Sequence, residues 1–77
     1  MSSEIVEYPA RRLVDEPDAV RVEEVERDGA IVLQLHVATD DVGKVIGRQG
    51  RIARALRTIV RASAARREQR VMLEIVE

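Results

Sequence analysis

Ten residues in the second half of the chain, Gly43-Lys44-Val45-Ile46-Gly47-Arg48-Gln49-Gly50-Arg51-Ile52, limit the fold more than any other stretch. A short apolar segment precedes the bend and a long helical pattern follows it, but glycines at 47 and 50 break any single continuous helix. Neither glycine has a Cβ and both are free to take positive φ, so the chain turns sharply there and its backbone lies open to close approach. Gly50 then opens a helix whose first N–H groups lack partners and point back at the bend, an arrangement that attracts phosphate. Lys44, Arg48 and Arg51 crowd the same residues. Cationic side chains and unpaired backbone donors converge on one spot, which points to a loop that holds a nucleic-acid backbone.

The flanking segments say what carries that loop. Ile31, Leu33, Leu35 and Val37 alternate with Val32, Gln34 and His36, the period of a strand with one core face and one wet face. Before it, Val20, Val22 and Val25 mark a shorter strand whose alternation slips at Glu23-Glu24, as a bulge would produce. Asp28-Gly29 between the two strands is a hairpin signal, since a primed two-residue turn needs positive φ at both positions. Thr39 is placed to cap the short helix before the bend, with Asp40 and Asp41 in its first turn. From Gly50 to about Arg67 the period becomes helical. Ile52, Leu56, Ile59, Val60 and Ser63 share an arc about 100° wide, and Arg51, Arg54, Arg57 and Arg61 fall in another. Glu68-Gln69 turns the chain into a last strand at 71 to 76.

At the start, Ser2 or Ser3 is placed to cap a helix reaching about Val14. Pro9 interrupts it: a proline inside a helix loses one hydrogen bond and clashes with the preceding turn, costing roughly 3 kcal/mol. The sequence therefore predicts a helix bent near Tyr8 or one that begins at Pro9. It ends at Asp15-Glu16-Pro17, because a residue before proline avoids the α region. The predicted fold class is α+β, in the order α-β-β-α-α-β. Two helices connect strand 31–37 to strand 71–76, so a right-handed crossover makes those strands parallel if adjacent. With the hairpin, this gives a three-stranded mixed sheet with three helices on one face.

At 77 residues the chain is read as one domain, 1–77; a domain this small buries only about 60% of its unfolded surface. Cysteine is absent, which excludes disulfides and thiolate metal sites. No apolar run approaches a membrane span and no signal peptide is evident, so the expected address is cytoplasmic. Net charge is −1, but the average hides a strong asymmetry. Residues 1–41 hold 4 basic and 11 acidic side chains, a balance of −7, whereas 42–77 hold 9 basic and 3 acidic, a balance of +6. Such a division implies an anionic partner for the basic half.

Rival chemistries find little support. Glycines at 43, 47 and 50 do not match GxGxxG, and no Gly-Lys-Ser/Thr follows, as a nucleotide P-loop requires. His36 is the sole histidine, so neither metal site nor cofactor is expected. The acidic run Glu23, Glu24, Glu26 and Asp28 alternates between strand faces and reads as a solvated edge. No nucleophile and base pair is evident, so no enzyme is expected. Tyr8 is the only aromatic residue, which removes the stacking platforms of many single-strand binders.

Val45-Ile46-Gly47-Arg48-Gln49-Gly50-Arg51-Ile52, set between a short and a long helix, resembles the GxxG core of a KH domain, and the element order resembles the type II, bacterial arrangement. Leu13-Val14-Asp15-Glu16-Pro17, Val42-Gly43-Lys44-Val45-Ile46-Gly47 and Glu74-Ile75-Val76-Glu77 are similar to the small bacterial KhpA family, across essentially the whole chain. Pro9 departs from the helix-forming residue expected there.

The resemblance implies a groove between the short helix, the loop, the long helix and an adjoining strand, which takes about four nucleotides of single-stranded RNA by their backbone. It implies that Gly47, Arg48, Gln49 and Gly50 line phosphates and that Lys44 and Arg51 supply charge. Gly43 and Ile46 would form a close apolar surface for bases. Arg54, Arg57 and Arg61 are candidate secondary phosphate contacts, or simply a solvated face. It also implies a homodimer or a heterodimer with the KH protein KhpB, an RNA-chaperone role, and effects on cell shape and cell-wall synthesis, with no membrane or small-molecule substrate. The alternative is a protein-interaction module whose KH fold serves as a dimerisation or docking surface.

Overall fold

A computed structural model describes residues 3–76. Its elements are α1 (Glu4–Leu13), β1 (Arg21–Arg27), β2 (Ala30–His36), α2 (Val42–Ile46), α3 (Arg51–Ala65) and β3 (Val71–Val76), with single 3₁₀ turns at Pro17–Ala19, Thr39–Asp41 and Arg48–Gly50. The sheet order is β1-β2-β3. β1 and β2 are antiparallel, from Arg21 opposite His36 to Arg27 opposite Ala30. β2 and β3 run parallel, from Ile31 beside Val71 to His36 beside Val76. The predicted class, order and mixed sheet are all present.

One face of this sheet makes the core. Leu33, Leu35, Val71 and Leu73 pack with Val6 and Ala10 of α1, Val45 of α2, and Leu56, Val60 and Ala64 of α3. All three helices therefore lie on that face. Nearly every core side chain is aliphatic and small, so the helices approach the sheet closely and single methyl groups matter.

Pro9 sits inside a continuous α1 rather than shortening it. Val6 and Ala10, on either side of it, are both fully buried, and that packing offsets the lost hydrogen bond. Ser3 stands at the N-cap with no side-chain hydrogen bond; its carbonyl accepts from Val6 and Glu7 at 3.1 and 3.0 Å. Ser2 lies outside the described residues. Asp28 and Gly29 both have positive φ, 54° and 78°, as the hairpin requires.

Three expectations need correction. β1 contains no bulge, because its pairing with β2 is unbroken. The apparent slip arises because Val22 faces the helices while Val25 lies on the opposite face, directly across from Val32. That outer face is not uniformly wet: Val32 is 1% exposed, flanked by Val25 and Met72 and bridged by Arg27 and Gln34 side chains that both donate to Glu74. In α3 the buried arc is shifted from Ile59, which is 46% exposed, towards Ala53 and Ala64. A helix pressed against a sheet favours alanine along its line of closest approach, and a hydropathy count undervalues alanine there.

Candidate nucleic-acid interface

The bend between α2 and α3 is built from positive φ. Gly47 has φ 77° and ψ 173°, a combination essentially confined to glycine. A Cβ there would stand 2.7 Å from Cγ1 of Ile52, so α3 closes against the bend and leaves no room for a side chain. Gln49 (φ 58°, ψ 25°) and Gly50 (φ 72°, ψ 17°) follow in the left-handed region. Gly47 donates to the Gly43 carbonyl at 2.9 Å and Gly50 to the Gly47 carbonyl at 3.1 Å. The amides of Arg48 and Gln49 find no backbone acceptor among the described residues, and both residues are exposed. Successive unpaired amides in such a turn form a concavity suited to an anion.

Cations surround it unequally. Arg48 is exposed, and Arg51 donates from Nη2 to Oε1 of Gln49 at 3.3 Å, tying the bend to the first turn of α3. Neither these two nor Arg54, Arg57 and Arg61 has a carboxylate within ion-pair distance among the described residues. Lys44 differs: its ammonium pairs with Asp15 and, at 3.4 Å, with Asp41. Asp15 draws the Lys44 pKa above its ordinary value, burial opposes this, and Asp41 adds to the rise.

Arg57 and Arg61 line a groove of about 320 Å³ with Val60, Val71, Met72 and Leu73, between α3 and the free edge of β3. Arg57 lies seven residues past Gly50, about 10 Å along the helix at 1.5 Å per residue. The inward shift of Ala53 and Ala64 turns Arg57 towards β3. Arg54 does not line the groove; its carbonyl accepts from Oγ1 of Thr58 at 3.0 Å. Gly43 is exposed at normal helical φ, with nothing within 4 Å of where a Cβ would stand. Ile46 is 37% exposed beside it. The sequence-named residues thus form a loop tip (Gly47, Arg48, Gln49, Gly50, Arg51), a bare apolar shoulder (Gly43, Ile46) and a basic groove (Arg57, Arg61).

Asp41 lies in the first turn before α2, as the sequence suggests, but it is 2% exposed and has a further role that the sequence did not show. Its two oxygens accept the amides of Asp15 at 3.2 Å and Glu16 at 3.1 Å. Burial pushes its carboxyl up, but those amides and Lys44 outweigh it, and its pKa falls below the ordinary value. Thr39 makes no cap; the turn begins after Ala38, and Asp41 precedes α2. The spacing of Asp41 and Lys44, one turn apart on a helix, was the available signal.

Comparison with known proteins decides the family. The profile described as "KhpA/KhpB, KH domain" matches residues 3–75. The chain belongs to the KhpA/KhpB KH-domain family. The RNA-binding protein KhpA of Treponema pallidum is 52% identical over 77 residues, which cover 100% of this chain and 96% of that protein. Its counterpart from Aquifex aeolicus is 53% identical over 74 residues (96% and 94% covered), and that from Caldanaerobacter subterraneus 51% over 73 (95% and 97%). The KhpA/KhpB profile takes in all six elements, so the loop, shoulder and groove lie within a KH frame of full length. Among the described residues no helix is long and apolar enough to cross a membrane.

Proposed function

We propose that this protein is a non-catalytic RNA-binding protein that holds about four nucleotides of single-stranded RNA at the Gly47–Gly50 bend. The observation that carries the reading is the pair of amides at the exposed residues Arg48 and Gln49, which have no backbone acceptor among the described residues and follow a Gly47 that leaves no room for a side chain. Phosphates lie on these amides and meet Arg48 and Arg51. Bases lie against Gly43 and Ile46, and Arg57 and Arg61 extend the positive surface along α3. Lys44 enters only through the helix it sits on. The naming of its relatives as RNA-binding proteins supports the polymer assignment.

About three phosphate contacts give a log affinity against log salt slope near −2, at roughly 0.7 per phosphate on a single strand. One small groove of this kind holds RNA weakly, and a second KH module linked to it raises binding through effective concentration. A family that spans KhpA and KhpB supports pairing with a KhpB-type protein or a second copy. The chaperone role and the link to cell shape and wall synthesis rest on that kinship alone.

The test replaces Arg48 and Gln49 with aspartate. The double variant is expected to fold as the parent does by circular dichroism and to lose at least tenfold in affinity for a labelled single-stranded RNA. Equal binding by parent and variant would overturn the groove assignment. Capture of a KhpB-type partner by both alike, with no RNA bound by either, would favour a docking module.

A further inference from the structure

We propose that Asp41 is the positioning residue of the bend, and that Lys44 serves this clamp rather than the phosphates. The proposal rests on the RNA reading above. Among the described residues Asp41 is the one buried charged side chain. A buried carboxylate is costly unless donors surround it, and its donors come from two separate parts of the chain. The amides of Asp15 and Glu16 belong to the connection after α1, 26 and 25 residues away in sequence. Lys44 lies one turn further along, and its other partner is again Asp15. Asp15, Glu16, Asp41 and Lys44 thus fasten the α1–β1 connection to the root of α2.

The location of this clamp gives it a function. α2 has five residues, too few to hold a helix by its own hydrogen bonds. Its pose is set from outside, by Val45 in the core and by Asp41 at its N-terminus. Ile46 is its last residue and Gly47 follows at once, so any rotation of α2 passes directly into the bend. A Lys44 ammonium drawn away to a phosphate would strip Asp41 of the one cation it pairs with among the described residues. The cluster as a whole, two carboxylates and one ammonium, is a net negative charge beside the bend.

That sign separates positioning from electrostatics. Removing the charge of Asp41 should tighten a polyanion if charge alone mattered, and should weaken it if pose matters. Asp41→Asn keeps the shape and one carbonyl acceptor, and Lys44→Met keeps the aliphatic stem. Binding of a fluorescein-labelled oligouridine is measured by anisotropy over a range of salt, well below each variant's melting midpoint. Each variant, and the double variant, is expected to bind about fivefold or more weakly than the parent. The salt slopes stay unchanged, and the double variant is no worse than the weaker single one. Backbone order parameters of residues 46–50, read by NMR without RNA, fall in both single variants.

A slope shallower by roughly 0.7 in Lys44→Met would make Lys44 a phosphate ligand and overturn the proposal. So would an Asp41→Asn protein that binds as well as the parent. If the parent itself binds no oligouridine, the RNA reading fails and the order parameters decide the positioning alone. Unchanged values at 46–50 would then refute it.

Discussion

Gly43 is a glycine that the fold does not require, and replacing it separates stability from binding. Its φ is not positive, it lies within α2, and a Cβ at this position meets nothing within 4 Å. Glycine inside a helix is less favourable than alanine by roughly 0.5–1 kcal/mol. Gly43→Ala should therefore stabilise the protein by about 0.5 kcal/mol, the low end because α2 is a single short turn. For a domain of this size that raises Tm by about 2–4 °C. If RNA bases lie on the bare shoulder of Gly43 and Ile46, the added methyl lifts them from it. A radial gap of 0.5–1 Å already forfeits a quarter to a half of each dispersion contact. A loss of about 1 kcal/mol, or fivefold in Kd, is expected. Melting by circular dichroism and RNA titration by anisotropy on the same samples give both numbers. A higher Tm with unchanged Kd would show that no ligand touches the shoulder, and a lower Tm would refute the open-space argument itself.

Gly47→Ala should cost about 2 kcal/mol in a urea titration, since its backbone conformation is strained for any other residue and the Cβ meets Ile52. Glu68 ends the turn after α3 at φ 55°; Glu68→Gly should stabilise by about 1 kcal/mol with the Tm rising accordingly. Arg57→Ala and Arg61→Ala should each reduce the salt slope by roughly 0.7 if they contact phosphate, whereas unchanged slopes at weaker affinity would assign them to steering alone. The carboxyl pKa of Asp41 is lowered from 3.8, so its stabilisation is full above that value and is lost as pH falls through the lower folded value. Lys44 is raised from 10.5, so its contribution is full below that value and disappears as pH rises through the higher one. Tm against pH should fall at both ends, and Asp41→Asn should flatten the acid limb.

The sheet and the bend were legible because each rests on a local rule. Leu33 to Val37 alternate strictly, Asp28-Gly29 can make only a few kinds of turn, and glycines at 47 and 50 mark positions that other residues enter with strain. What escaped depends on partners distant in sequence. Asp41 stands in the first turn as its position suggests, but the two amides it accepts belong to the distant α1–β1 connection. Val32 looks wet until Arg27 and Gln34 converge on Glu74 above the stripe it shares with Val25 and Met72. The same holds for Lys44, whose charge is visible in the sequence while its partner Asp15 is not. The buried side of α3 was misread by one step because volume, rather than hydropathy, decides which residues fit beneath a close-packed helix.

Charge placement then explains how a protein with net charge −1 could attract a polyanion. The exposed acids of β1, Glu23, Glu24 and Glu26, occupy one edge of the sheet, while Arg57 and Arg61 flank the opposite edge at β3. The molecule measures 34 × 21 × 19 Å, and at physiological salt the screening length is about 8 Å. A strand near α3 therefore feels the arginines far more than the glutamates. Attraction is short in range and confined to one side, and the acidic edge repels strands that approach the wrong way. Such a field contributes orientation more than affinity. On the proposed reading the tight steps fall to the amides of Arg48 and Gln49, and the pose of α2 that Asp41 is proposed to fix would then govern how well the bend binds.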